Sequence, residues 1–296
     1  MKNIAVLLTC YNRKIKTLSC LDSLSVAYDI HRSQINMTVF LTDDSSTDGT
    51  KEAVEDRDYP FTVIMLSGTG QLYWNGGMIK SWNAALQSGD FDGFLLLNDD
   101  AVVLDAFWKE LLNADEVALR EYGKRGIYVG STYDSKTNKF TYGGFNFTNK
   151  LTLRDEYVLP DGKTYQPCQC AHGNITYVSK DVVDCLGIFC DKYIHGGTDH
   201  DYSYLAYKAG FPILVLPNYA GICENDHKED GYADFLAMTL RERLDYLQSP
   251  FGFNLHNTLL FQKRCFPYRY PFVWITSYLK ALFPKTYFKL YKRLRK

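Results

Sequence analysis

Apolar runs and helical repeats alternate along the first hundred residues. Ile4-Ala5-Val6-Leu7-Leu8 is an unbroken apolar run of strand length, which predicts a strand buried on both faces. The polar turn Thr9-Cys10-Tyr11-Asn12 follows, and then a helix to about residue 26. Residues 36–42 predict a second strand. It ends at Asp43-Asp44-Ser45-Ser46-Thr47-Asp48-Gly49-Thr50, where Ser46 or Thr47 can cap the next helix. Residues 61–66 predict a third strand, and residues 75–87 a helix after a glycine-rich entry. Gly93-Phe94-Leu95-Leu96-Leu97 predicts a fourth strand, ending at Asn98-Asp99-Asp100. Four alternations of strand and helix predict an α/β fold with an open, doubly wound, mostly parallel sheet.

The pattern then becomes irregular. Residues 126–141 and 150–158 are rich in β-branched and aromatic side chains between Gly and Asn turns, which predicts hairpins. Helical periodicity returns at 179–186, 199–208 and 233–248, and residues 250–271 lead into a C-terminal helical tail.

Charge changes the picture only at that tail. Residues 261–296 hold ten Lys and Arg and no Asp or Glu, leaving 23 basic against 34 acidic side chains in the first 260. A body with a net charge of −11 is not a strong nucleic-acid binder. The eight cysteines are not needed as staples in a chain of 296 residues with a large core. The apolar stretch near the N-terminus is too short for a signal peptide or a membrane span, so a reduced, cytoplasmic setting is expected. Cys168-x-Cys170-x-His172 has no second pair of matching spacing and does not read as a zinc site.

In open α/β sheets, ligands bind beyond the carboxyl ends of the strands. The clusters 9–12, 43–48 and 98–100 all fall at such ends. Each alone could be ordinary loop, because Asp and Asn favour turns and caps; three on one rim point to a site. Asp99 and Asp100 are adjacent carboxylates that repel unless a cation lies against them. Mg²⁺ or Mn²⁺ prefers such oxygen ligands and bridges phosphates.

These pieces, together with Gly197-Thr198-Asp199-His200-Asp201, resemble glycosyltransferase family 2, in order and spacing across roughly the first 225 residues. Within it, the chain resembles bacterial rhamnosyltransferase-like members. The resemblance implies a GT-A fold and an inverting transferase that moves a sugar from a nucleoside diphosphate donor to an acceptor hydroxyl. UDP is the first expectation for the nucleotide, with dTDP and GDP open. It further implies that Thr9 and Tyr11 flank the nucleobase, that Asp44 binds its edge, and that Asp99 lies near the ribose or phosphates. Asp100 would bind the Mn²⁺ or Mg²⁺, and Asp199 would be the base. A Gly-Asn segment such as 172–174 lies near the donor sugar and acceptor in the family, which brings in His172 and Asn174.

The sequence departs from the family pattern at Asn98, where Asp is usual, so the metal is expected to rest mainly on Asp100. A further His ligand occurs in some members, and here His227 is the candidate. Asp199 opens a helix, where the dipole favours a carboxylate and the backbone holds it rigidly at a cavity edge. Asp201 competes with it as base, or orients the acceptor or the helix. In Leu72-Tyr73-Trp74-Asn75-Gly76-Gly77-Met78-Ile79-Lys80, the glycines would admit a diphosphate or serve tight helix packing. Lys80 could reach a phosphate oxygen, and Trp74 is a candidate contact for donor sugar or acceptor.

The expected organisation is a GT-A domain over residues 1–260, with a nucleotide-binding half (1–100) and an acceptor and catalytic half (101–260). The tail, 261–296, follows. Trp274, Ile275, Tyr278, Leu279, Leu282 and Phe283 recur at helical spacing, as do Tyr287, Leu290, Tyr291 and Leu294 after Pro284, with Lys and Arg opposite. That is the signature of a helix lying in a membrane interface. The tail is expected to dock on an anionic membrane surface, placing the enzyme on the inner face near a glycan or lipid-linked acceptor in cell-surface polysaccharide synthesis. The alternative is packing on the protein's own body or on a second subunit. A sugar-phosphate nucleotidyltransferase would carry a Gly-rich loop after the first strand, and residues 9–13 contain no Gly. A non-catalytic binding module would lack Asp100 or Asp199, and both are present.

Overall fold

The computed structural model describes residues 1–225 and 231–294. The first third alternates as the pattern predicts: β1 (Lys2–Cys10), α1 (Lys14–His31), β2 (Ile35–Asp43), α2 (Thr50–Glu55), β3 (Thr62–Ser67), α3 (Tyr73–Ser88) and β4 (Gly93–Leu97). Then come β5 (Val102–Val103), α4 (Phe107–Tyr122), β6 (Ile127–Tyr133), β7 (Gly144–Asn149), β8 (Arg154–Tyr157), β9 (Gln166–Pro167) and β10 (Cys170–Ala171). β11 (Ile175–Ser179), α5 (Lys180–Leu186), α6 (Thr198–Lys208) and β12 (Ile213–Ile222) complete the α/β body. The C-terminal helices are α7 (Gly231–Ala237), α8 (Leu240–Gln248), α9 (Leu255–Cys265), α10 (Tyr270–Leu282) and α11 (Pro284–Leu294), with a 3-10 turn at Pro267–Arg269.

Nine strands form one sheet in the order β3-β2-β1-β4-β11-β6-β12-β5, with β9 beside β12. β1 to β4 pair in parallel, β12 is parallel to β6, and β11 runs antiparallel between β4 and β6. The apolar run of β1 serves two cores because alternate side chains leave opposite faces. Ile4, Val6 and Leu8 join Leu21 and Leu24 of α1 and Trp108 of α4 on one face. Ala5 and Leu7 join Met78 and Trp82 of α3 and Ala206 of α6 on the other. Helix α3 lies close over the sheet because Gly77 has no Cβ, which would strike the Thr9 side chain. Of the two uses open for the glycine pair, this close approach shows Gly77 in packing.

Several expectations are revised. Thr239 divides the helical stretch 233–248 into α7 and α8, because its side chain and Glu242 form a capping box. Ser46 and Thr47 do not cap α2; Gly49 occupies that position with φ of 77°. Their polar groups go instead to Asn12, which accepts from Thr47 N at 2.7 Å and donates its own N–H to Ser46 Oγ at 2.9 Å. Residues 126–141 are not a simple hairpin, since β6 is an interior strand of the main sheet. The hairpin at 150–158 is real and pairs β7 with β8, in a small sheet with β10. The 260/261 division falls inside α9.

The C-terminal helices fold onto the body and onto one another. Ser277 and Ala281 of α10 are buried, and Tyr278 packs on Leu247 of α8 and Leu255 of α9. Trp274, Ile275, Leu279, Leu282 and Phe283 stay exposed. The apolar positions of α10 are therefore split between packing and solvent. Among the described residues, no helix is long and apolar enough to cross a membrane.

Candidate active site

The loops after β1, β2 and β4 meet on one rim. Asp44, at the end of β2, is buried, and its two oxygens accept N–H bonds from Thr69, Gly70, Leu72 and Tyr73 at 2.7–3.3 Å. Asp44 therefore shapes the loop that leads into α3. Thr9 is buried under Gly77, while Tyr11 stands exposed above it. Lys80 is on the exposed face of α3 and does not line the cavity below, because Met78 and Ser81 turn that helix's other face to the sheet.

A cavity of about 380 Å³ opens at the ends of β4 and β11 and the start of α6. It brings together Trp74, Asp99, Asp100, His172, Asn174 and Asp199 of the expected residues. Asn98 accepts a hydrogen bond from the Trp74 indole at 2.9 Å, so this neutral side chain anchors an aromatic wall of the cavity.

Arg13, which the sequence reading did not assign to the site, bridges the two carboxylates. Its Nη1 lies 3.0 Å from Asp99 Oδ1 and 3.0 Å from Asp100 Oδ2. Lys16 Nζ stands 3.9 Å from Asp100. The signal was available: an arginine directly after the first rim cluster is placed to meet an acidic pair at the neighbouring strand end. Burial pushes Asp99 up to about 6 despite Arg13, and the charge of Asp100 adds to the shift. Asp99 Oδ2 is buried with no hydrogen-bond partner. Cys223 Sγ approaches Asp100 Oδ1 at 3.6 Å, and Glu224 lines the same wall.

This carboxylate pair suits a hard divalent cation. Among the described residues, no three His, Cys, Asp or Glu side chains gather in ligand geometry. The fit is therefore to a cation held by few protein oxygens, Asp100 first and the unpartnered Asp99 Oδ2 beside it. Mg²⁺ and Mn²⁺ accept such sites because water and phosphate oxygens complete their shell. His227 lies outside the described residues. Arg13→Gln should expose the repulsion between Asp99 and Asp100. Because Arg13 is partly exposed, the melting midpoint should fall by only about 2–4 °C. Excess Mg²⁺ or Mn²⁺ should restore it. Calorimetry without and with cation checks this; a loss that no cation restores would separate Arg13 from the cation site.

Asp199 sits in the first turn of α6, after Gly196 and Gly197, whose φ values of 68° and 78° make the sharp entry. Its Oδ2 accepts from Gly173 N and its Oδ1 from His200 N, each at 3.0 Å. Burial opposes ionisation of Asp199, but His200, His172 and these two amides outweigh it and hold the carboxyl below the usual range. His172 is itself lowered to about 4, mainly by burial and then by neighbouring His200. Its ring is therefore neutral near pH 7, with Nδ1 at 2.9 Å from Gly143 O. Asp201 does not line the cavity. It is buried, and Arg264 Nε of α9 donates to both its oxygens at 2.9 Å. Its place is in holding α6 to α9, not in touching an acceptor.

A nucleotide-type half-sheet, an acidic pair at a strand end and a carboxylate opening a helix on the same cavity define a GT-A-type sugar transferase. The model for glycosyl transferase family 2 matches residues 5–187, and the chain belongs to that family. Among solved structures, it is similar to the mannosyltransferase PcManGT from Pyrobaculum calidifontis in complex with GDP-Man and Mn²⁺. There the identity is 17% and the TM-score 0.52, covering 94% of this chain and 73% of that one. It is also similar to residues 1–349 of S. aureus TarS in complex with UDP-GlcNAc. In that case the identity is 14% and the TM-score 0.53, covering 95% of this chain and 80% of that one. At these identities the likeness shows the fold. No curated protein matches the sequence.

Proposed function

We propose that this glycosyltransferase inverts the anomeric carbon of a nucleoside diphosphate sugar in one displacement, with Asp199 as base. The observation that carries the reading is that Asp199 and the Asp99–Asp100 pair line one cavity from different elements. A single displacement needs two such stations, one to take the acceptor's proton and one to steady the departing diphosphate. Asp100, with Asp99, would hold Mn²⁺ or Mg²⁺, and a cation there supplies neutralisation of the leaving-group charge. Trp74, His172 and Asn174 line the space for donor sugar and acceptor. UDP is the first nucleotide to try, with dTDP and GDP next. Incubation with a panel of nucleotide sugars should release nucleoside diphosphate from one of them. Release of pyrophosphate, or consumption of a triphosphate, would instead indicate a nucleotidyltransferase.

We further propose that the enzyme works on the inner face of the cell membrane, with the basic tail on anionic lipid and a glycan or lipid-linked saccharide as acceptor. The exposed Trp274, Ile275, Leu282 and Phe283, and the lack of any acid after residue 260, support it. Each Lys or Arg near such a surface contributes about 1 kcal/mol. Lys285→Glu with Lys289→Glu should therefore weaken binding to phosphatidylglycerol vesicles roughly thirtyfold or more in sedimentation. Equal pelleting of wild type and variant, or indifference to lipid charge, would leave the tail with a packing role only.

A further inference from the structure

A second cavity, of about 510 Å³, lies between α10, α11 and the β7–β8 turn. Its size is that of a small-molecule site. Phe272, Val273, Leu279 and Leu290 give it aliphatic and aromatic walls, and Leu151 and Thr152 close it from the hairpin. Phe272, Leu279 and Leu290 are exposed at 70%, 41% and 54%, so the walls are not sealed by the protein's own packing. One cation stands on this lining, Arg269. Its Nε donates to Leu151 O and its Nη1 to Gln262 Oε1, both at 2.9 Å and both neutral acceptors. Burial pulls Arg269 below its usual range. The groups that pull the other way are the phenols of Tyr268, Tyr291 and Tyr287, not a carboxylate. No Asp or Glu occurs among the lining residues.

An apolar pocket with one guanidinium that has no acid partner among the described residues fits a molecule with a hydrocarbon chain and an anionic head. We propose that this cavity binds one acyl chain of an anionic membrane phospholipid, with the lipid phosphate on Arg269. Charge complementarity decides the occupant: the one charged group on the lining is a cation, which an anionic head answers beside an apolar chain. A phosphate accepts two guanidinium bonds at once, whereas a neutral lipid head would leave the charge unanswered. The inference deepens the membrane reading of the tail and reaches beyond it. Interface docking needs only a surface, while this site holds a single lipid and does not require a bilayer.

The test therefore avoids bilayers. The full chain is titrated with monomeric lysophosphatidylglycerol below its micelle concentration, and adducts are counted by native mass spectrometry. One adduct per chain is expected, at least tenfold stronger than with a monoacylglycerol of the same chain length, which lacks the phosphate, and none with glycerol 3-phosphate, which lacks the chain. Val273→Trp, which fills the cavity, should remove the adduct, and Arg269→Gln should abolish the preference for the anionic head. Thr276→Trp fills the same space from the next turn and serves if Val273→Trp fails to fold, as judged by circular dichroism. Leu86→Ala, exposed on α3 and outside the lining, should bind as wild type does. Equal affinity for the lysolipid and the monoacylglycerol, or binding undiminished by the filling variants, would overturn the proposal. Loss of vesicle pelleting in Lys285→Glu/Lys289→Glu with the lysolipid adduct intact would separate surface docking from this site.

Discussion

Asp100→Ala should abolish sugar transfer and weaken nucleotide binding in Mn²⁺ or Mg²⁺. The side chain is the part of the acidic pair that faces the cavity most openly, at 14% exposure against 7% for Asp99. Removing it leaves Asp99 alone, buried and already paired with Arg13. A single buried carboxylate neutralised by an arginine is a poor anchor for a divalent cation. A departing diphosphate without a cation develops charge with little to offset it beyond Arg13 and Lys16. Loss of one such electrostatic contact costs on the order of 10²–10³ in turnover, and here both the contact and the cation go. The wild-type enzyme should likewise lose activity in excess EDTA and regain it on adding Mn²⁺. The sign for pH follows from Asp99. Below about pH 6 its protonated form competes with the cation, so the Mn²⁺ concentration needed for half activity should rise as pH falls. Transfer unaffected by EDTA would end the metal reading.

Asp199→Asn should reduce kcat by roughly 10²–10⁴-fold while donor affinity stays near normal. Gly173 N and His200 N donate to the carboxyl, so it stays ionised and able to accept a proton across the physiological range. Asparagine keeps the shape and loses the basicity. Asp201→Asn provides the contrast. It weakens the bond to Arg264, whose side chain is 36% exposed and so partly screened by water, and should cost about 1–2 kcal/mol of stability. Its expected signature is a lower melting point with turnover of the folded protein retained. If Asp199→Asn keeps most of its activity and Asp201→Asn loses it, the roles are reversed.

Much of the fold was legible because the first hundred residues obey simple periods. β4 lies where the apolar run 93–97 placed it, and the acidic pair follows at its end. β12 was not legible, because Pro217-Asn218 interrupts its apolar run and reads as a turn. The strand survives because its pairing with β6 shifts register between Val215 and Tyr219, where the proline has no ladder bond to lose. In the site, the carboxylates were visible as residue types at strand ends. Arg13 was missed: its place directly after the first rim cluster was a signal, but the contact itself spans 86 residues and depends on two loops meeting. Lys80 and Asp201 show the converse. Sequence gives a residue's neighbourhood along a helix, but which face meets the cavity is set by packing from outside it, here by Thr9 under Gly77 and by Arg264.

The pairing of Asp201 with Arg264 also sets an order on how the protein is made. Asp201 of α6 leaves the ribosome 63 residues before the arginine that neutralises it. At about 5–20 residues per second, that is an interval of roughly 3–13 s. Through it, α6 carries a carboxylate that cannot be buried at low cost. The helix is therefore expected to gain its full hold on the body only when α9 has emerged. A chain released before Arg264 would hold the whole nucleotide half and still lack the partner of Asp201.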